Sequence, residues 1–146
     1  MNIAVFCSGS GTNLQAIIDS QKKGYIKAEI KLVVSDMPDC YALTRAKNAG
    51  IKTVVVERKN YKVKKDFEAE IINTLKKEGI GLIVLAGYMR MLSEDFIKAY
   101  ENKILNIHPA LLPSFKGTRG IKDAFEYGVK VTGPTVHFVT VDMDAG

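Results

Sequence analysis

Asn106 and His108 stand two residues apart in the stretch Asn106-Ile107-His108-Pro109-Ala110-Leu111-Leu112-Pro113. They pair an amide donor with an imidazole that can give or take a proton near neutral pH. The residues before them read as a strand, in which alternate side chains share a face, so both groups are expected to point the same way. Pro109 has no N–H to offer a ladder and should end the strand. A fixed donor beside a proton carrier suits acyl-type transfer, where charge develops on a carbonyl oxygen and protons must move. The same residues would also serve as a strand ending in a polar turn with a hydrogen-bonded histidine. The elements around them decide between the two.

A second chemical stretch follows the first apolar run. Cys7-Ser8-Gly9-Ser10-Gly11-Thr12-Asn13 leads from a strand into a helix. Glycines let the backbone approach a ligand, and a helix N-terminus offers free N–H groups and partial positive charge, so a phosphate fits there. A plain tight turn with Thr12 or Asn13 capping the helix fits as well. The spacing is neither G-x-G-x-x-G nor a P-loop, since no third glycine and no Gly-Lys-Ser/Thr follows. A dinucleotide is not favoured, because no acidic residue closes the second strand. Asp36 already lies in the turn after it and would be a weak ribose ligand.

The elements that must position these residues alternate in type. Strands are expected over 2–8, 29–35, 53–56, 82–86, 103–108 and 135–141, and helices over 13–23, 41–49, 63–78, 93–100 and 120–127. Leu14, Ile17 and Ile18 mark one apolar face of the first helix. Gly50 and Gly79 are helix stops, and Ser93 is an N-cap. Residues 82–86 form an apolar run typical of a central parallel strand. Strands separated by such helices imply right-handed βαβ units, hence an α/β fold with a parallel sheet covered on both faces. Ligands of such sheets bind beyond the carboxyl ends of the strands. That rule points to residues 8–13, 86–92 and 106–119. No repeat, linker or low-complexity segment divides the chain, so one domain over 1–146 is expected.

Composition sets wider bounds. The 146 residues are 47% hydrophobic and 25% charged, as in an ordinary globular domain with a core. No apolar run could span a bilayer, and residues 3–7 are too short for a signal-peptide core. Cys7 and Cys40 have no metal-site spacing and make no disulfide framework, so both read as small core residues of a cytoplasmic protein. The net charge of +5 raises the question of nucleic acid. Lys62, Lys64, Lys65, Lys76 and Lys77 alternate with Asp66, Glu68, Glu70 and Glu78, the pattern of a solvated helix face, and no aromatic residues interleave as stacking platforms. A mild positive field suits small phosphorylated or polycarboxylate ligands.

Four segments together carry a family resemblance: residues 8–15, Leu85-Ala86-Gly87-Tyr88-Met89-Arg90-Met91-Leu92, residues 106–117, and residues 136–146 with Asp142 and Asp144. In this order they closely resemble the phosphoribosylglycinamide formyltransferases, folate-dependent enzymes of purine synthesis, in one register from Met1 to Gly146. The wider formyltransferase family shares the Asn-x-His and the late Asp. Its methionyl-tRNA members usually lack the Gly-Ser-Gly-Thr-Asn turn, and formyltetrahydrofolate hydrolases usually carry a second His where this chain has Pro109.

The resemblance implies a Rossmann-like formyltransferase fold, mostly parallel, with helices on both faces. It also implies formyl transfer from 10-formyltetrahydrofolate, the co-substrate, to the amine of phosphoribosylglycinamide. No metal, nucleic acid or membrane is expected, and the protein would be a monomer or homodimer. Gly11, Thr12 and Asn13 match the family's phosphate contacts. Met89, Arg90, Met91 and Leu92 match the loop against the folate pterin, and Lys64 stands where many members have a folate-side Arg; Lys keeps the charge but loses the planar fork. Asn106, His108 and Asp144 match the catalytic trio, with Asn106 also facing the folate. Asn106 and a protonated His108 would stabilise the tetrahedral oxyanion, such donors being worth about 3–4 kcal/mol each in comparable sites. Asp144 would favour the His108 imidazolium. Asp142 competes for that role, and the family register selects Asp144. His137, mid-strand, reads as a supporting histidine. Leu112-Pro113 lies where the family tends to a cis peptide, and residues 114–120 are expected to move on substrate binding. Thr118 and Arg119 depart from the family pattern.

Family members continue for about one more strand and a long helix or two beyond residue 146. The expectation is therefore a truncated family fold with exposed apolar surface, Asp144 near a loose terminus, and weak or no activity alone. Two other readings stay open: a formyltetrahydrofolate hydrolase, and a phosphate-binding α/β module without catalysis. The module needs only the first turn, whereas the enzyme needs Asn106, His108 and Asp144 to converge.

Overall fold

Five consecutive buried residues, Ile3 to Cys7, make the first strand a core strand on both faces. The computed structural model describes residues 1–146 and packs as two compact units, Met1–Met91 and Leu92–Gly146. In the first unit, β1 (Asn2–Cys7), α1 (Thr12–Lys22), β2 (Glu29–Ser35), α2 (Tyr41–Asn48), β3 (Lys52–Val55), a 3-10 turn (Arg58–Asn60), α3 (Lys64–Lys77) and β4 (Leu82–Leu85) follow in order. The strands lie in the order β3-β2-β1-β4, all parallel. Phe6 is opposite Val34 on one side and Leu85 on the other.

That order contains the topological switch. The chain steps outward from β1 to β2 to β3, then returns past β1 to β4. Right-handed crossovers in opposite directions place α1 and α2 on one face and α3 on the other. The helices bury residues at the expected spacing: Leu14 and Ile18 on α1; Ala42, Leu43 and Ala46 on α2; Phe67, Ile71 and Leu75 on α3. Each large apolar side chain of that set contributes about 1.5–3 kcal/mol by leaving water. The crevice between β1 and β4 is where such sheets bind ligands, and the loops leaving both strands were singled out by sequence. Burial pushes the Cys7 thiol up to about 12, as expected of a core cysteine rather than a reactive one.

The second unit holds α4 (Glu94–Ala99), β5 (Ile104–His108), α5 (Gly120–Tyr127) and β6 (Thr135–Phe138). Ser93 caps α4, its hydroxyl accepting from the Phe96 amide at 3.2 Å. β5 and β6 pair antiparallel, with Asn106 opposite His137 and His108 opposite Thr135. The sheet pairing is therefore mostly parallel, with this antiparallel pair as the exception. The strand expected over 135–141 ends at Phe138 because its partner runs out: the Val139 amide donates to the carbonyl of Ile104, the first residue of β5. Past β5, Thr135 Oγ1 donates to the Ala110 carbonyl and accepts from the Leu112 amide, at 2.6 and 3.0 Å, and the Leu112–Pro113 peptide is cis. Apolar side chains of α5 and β6 stand in solvent, among them Ile121, Val136 and Phe125, the last 84% exposed. No helix is long and apolar enough to cross a membrane.

Gly11 shows how closely the first turn is seated. It lies at φ 74°, and a β-carbon there would come within 2.7 Å of the Ala42 Cα. The left-handed backbone alone would cost an alanine about 1–2 kcal/mol, and the collision with α2 adds to it. Gly11→Ala is expected to lower the melting temperature by several degrees, whereas Gly9→Ala, where a β-carbon meets nothing within 4 Å, is expected to leave it nearly unchanged. Equal melting temperatures for the two variants in a thermal scan would contradict this packing.

Candidate active site

The turn of residues 8–13 is anchored through its carbonyls. Gly9 O accepts from the Ala42 amide at 3.1 Å, and Ser10 O accepts from Arg45 Nε at 2.8 Å. The Arg45 guanidinium lies 4.8 Å from the Tyr41 ring centre, a cation–π contact that helps hold it there. The N-cap of α1 is Gly11, not Thr12 or Asn13, and no side chain caps the helix. A left-handed glycine at that position orients the turn without a polar side chain. Thr12 and Asn13 are left exposed, at a helix end whose first N–H groups have no intrahelical partner. With the Gly9 and Ser10 carbonyls engaged inside the protein, the positive end of α1 is what an anion requires.

The loop after β4 is tied to this turn. The Ser8 amide donates to the Gly87 carbonyl at 3.0 Å. Ser8 Oγ donates to Asp36 Oδ1 at 2.6 Å and accepts from the Met89 amide at 2.9 Å. Arg90 Nε donates to Asp36 Oδ2 at 2.9 Å. Asp36 is only 6% exposed, with both oxygens engaged inside the protein. The reading of Asp36 as a ribose ligand is thereby corrected: its acceptors already serve Ser8 and Arg90. Met89 and Met91 are exposed. Lys64 opens α3 and stands 3.8 Å from Glu68, with its ammonium partly in solvent. Tyr88 packs edge-on against Phe6, ring centres 5.2 Å apart, and its buried hydroxyl has no hydrogen-bond partner. Burial pushes its ionisation well above the ordinary phenol range.

In the second unit a pair of histidines flanks one carboxylate. His108 Nδ1 lies 3.6 Å from Asp144 Oδ2, and His137 Nε2 lies 3.8 Å from Asp144 Oδ1. Asn106 Nδ2 lies 3.2 Å from His137 Nε2. The hydrogen bonds assign the tautomers. His137 Nδ1 sits 3.0 Å from the Phe138 carbonyl and must carry a proton, so its Nε2 can accept from the Asn106 amide. His108 Nε2 sits 2.8 Å from the Phe115 carbonyl and must also carry a proton. Nδ1, facing Asp144, is the nitrogen left to take a second one. His108 is 3% exposed. Asp144 Oδ2 also accepts from the Gly117 amide at 2.8 Å, which fastens the loop after β5 to the cluster. Phe115 and Asp144 both adopt positive φ, 53° and 51°, at a cost of about 1–2 kcal/mol each. Their hydrogen bonds to His108 and Gly117 offset it.

The competing Asp142 is exposed, and its backbone carbonyl accepts from Thr140 Oγ1 at 3.2 Å. Thr118 and Arg119 line an open depression with Pro109, Ile121, Lys122 and Phe125. Arg119 pairs with Asp123 and Glu126, each at 3.5 Å. No group of three or more His, Cys, Asp or Glu side chains is placed to hold a metal ion. Two links escaped the sequence reading: the Ser8–Asp36–Arg90 chain, and His137 as the acceptor that holds Asn106. The first had a signal. In parallel strands paired Cys7 to Ser35, the next residues on each are neighbours.

Comparison with known proteins places the chain. Residues 1–146 match the family described as formyl transferase. The chain is 45% identical over 144 residues to phosphoribosylglycinamide formyltransferase of Haemophilus influenzae, covering 99% of this chain and 68% of that protein. It is 49% identical over 146 residues to the trifunctional purine biosynthetic protein adenosine-3 of Gallus gallus, of which it spans only 15%. The crystal structure of glycinamide ribonucleotide transformylase 1 from Symbiobacterium toebii superposes with a TM-score of 0.97 at 44% identity, covering 100% of this chain and 69% of that one. The chain belongs to the formyl transferase family, and its fold is the Rossmann-like α/β fold of that family.

The orphaned Tyr88 hydroxyl yields a stability test. Removing an unsatisfied buried hydroxyl leaves no partner behind, so Tyr88→Phe is expected to hold or raise stability, by up to about 1 kcal/mol. Chemical denaturation checks it. A loss of more than that amount would mean the hydroxyl has a partner.

Proposed function

We propose that the chain transfers the formyl group of 10-formyltetrahydrofolate to the amine of 5'-phosphoribosylglycinamide, as a single formyltransferase domain acting in purine biosynthesis. The observation that carries this reading is the Asn106–His137–Asp144–His108 cluster at the end of β5, in a chain whose family is formyl transferase. The turn at Gly11, Thr12 and Asn13 takes the substrate phosphate, its amides and the α1 N-terminus supplying the positive pole. The folate pterin lies against Met89, Arg90, Met91 and Leu92, with Lys64 as a more distant cation for its acidic tail.

In this reading the glycinamide nitrogen attacks the formyl carbon, and the formyl oxygen takes on negative charge. Asn106 and protonated His108 donate to that oxygen. Asp144 holds the His108 ring from the Nδ1 side, leaving Nε2–H to give. The attacking amine sheds its proton as the tetrahedral adduct collapses, the carbon–N10 bond of the folate breaks, and N10 regains a proton. His108 carries protons between the two nitrogens, directly or through a water. For this, Nε2–H must leave the Phe115 carbonyl, so residues 111–119 have to shift when substrate enters.

The test is formyl transfer from 10-formyltetrahydrofolate to phosphoribosylglycinamide, comparing the protein with His108→Ala and Asp144→Asn. Both variants are expected to lose about 100- to 1,000-fold in kcat/KM. Transfer that His108→Ala leaves intact would sink the assignment of His108. Formate release without the ribonucleotide would make the protein a hydrolase instead.

A further inference from the structure

We infer that Asp36, acting through Ser8 and Arg90, is a positioning residue that makes the first turn (8–13) and the loop after β4 (87–91) move as one body, so that a ligand ordering one loop favours ligand at the other. This rests on the reading above for which ligands those loops take, but the mechanical linkage stands on its own geometry. Three segments meet at one buried carboxylate: the end of β1 through Ser8, the end of β2 through Asp36 itself, and the loop after β4 through Arg90. Asp36 touches no substrate in this arrangement and acts only through its partners.

The hydrogen-bond directions admit little else. Ser8 has one hydroxyl proton and gives it to Asp36 Oδ1, so its lone pairs are free for the Met89 amide. Arg90 can only donate, and it donates to Oδ2. The two donors together need a carboxylate with two acceptor oxygens. An asparagine of the same shape has one acceptor and one NH2. Facing Ser8 with its oxygen, it turns the NH2 against Arg90 Nε, donor to donor. Facing Arg90 with its oxygen, it forces Ser8 to reverse its hydroxyl. Loss of one proton-accepting site therefore disconnects one loop with almost no change in volume. The second bond between the loops, the Ser8 amide to the Gly87 carbonyl, is backbone and survives every side-chain change. It keeps the loops adjacent, but a single backbone bond does not fix the orientation of the loop after β4, so the coupling is carried by the side-chain links.

The experiment has two arms on the full chain. In the unliganded protein, hydrogen exchange by mass spectrometry follows residues 8–13 and 87–91. Arg90→Ala and Asp36→Asn are each expected to speed exchange in both segments several-fold. Acceleration confined to 87–91 in Arg90→Ala overturns the inference whatever the protein's activity. In the second arm, the affinity for a non-transferring folate analogue is measured with and without saturating phosphoribosylglycinamide. The wild-type protein is expected to bind the analogue several-fold tighter with the ribonucleotide present, and by linkage the reverse holds equally. Asp36→Asn and Ser8→Ala should bring that ratio close to one and raise donor KM about ten-fold with a smaller change in kcat. Ser8→Thr, which keeps the hydroxyl, should restore both. Unchanged coupling in Asp36→Asn and Ser8→Ala overturns the inference. A wild-type protein that binds neither ligand fails the functional reading instead, and the exchange arm still decides the linkage.

Discussion

Pairing on both edges of β1 is the constraint on which the first unit depends. With β2 on one side and β4 on the other, the strand has no free polar edge, and its side chains from Ile3 to Cys7 are buried. Such a strand must be continuously apolar, which explains the Ile-Ala-Val-Phe-Cys run. It also fixes where chemistry can occur. A buried strand cannot offer polar groups along its length, so they collect where it ends, at Ser8 and the glycines after it. The strand order reverses at β1, between β2 and β4, and in such sheets ligands bind beyond the carboxyl ends of the strands at that point.

Both units place a carboxylate beyond a strand, and the two do different work. Asp36 is satisfied by a serine hydroxyl and a guanidinium, a fixed pairing in which neither partner changes its proton count near neutral pH. Asp144 faces two imidazoles and one backbone amide. Imidazole can change its proton count near neutral pH and guanidinium cannot. The first carboxylate is therefore suited to holding geometry and the second to handling protons. His137 completes the division. Its ring is held by the Phe138 carbonyl and the Asn106 amide, which fixes how Asn106 is aimed.

The sequence told most about elements whose pattern reflects burial. β1, β2 and the helices lie within a residue or so of their expected bounds, because apolar periodicity and stops such as Gly79 are local properties. It told less about ends that depend on a distant partner. β6 stops at Phe138 although Val139 and Val141 favour strand, because β5 has no residue left to pair. At the site, Asn106, His108 and Asp144 could be named from motif and register, but their connections could not. That His108 gives Nε2–H to Phe115, or that Asp36 is consumed by Ser8 and Arg90, follows from side-chain directions set only once the strands pair. Gly11 as the cap of α1 was also hidden. Nothing in Gly-Thr-Asn says that the glycine, rather than either polar neighbour, takes the boundary; the close approach of Ala42 decides it.

The bond from Asp144 to the Gly117 amide joins residues 27 positions apart, and it sets an order of events during synthesis. All strand partners of β1 have been made once the ribosome passes residue 85, so the first unit can begin to assemble early. The histidine pair has no carboxylate between it until residue 144 emerges. A nascent chain can thus complete the glycine turn and its anchors well before the carboxylate between the two histidines exists, so the two parts of the structure become available for folding at different times.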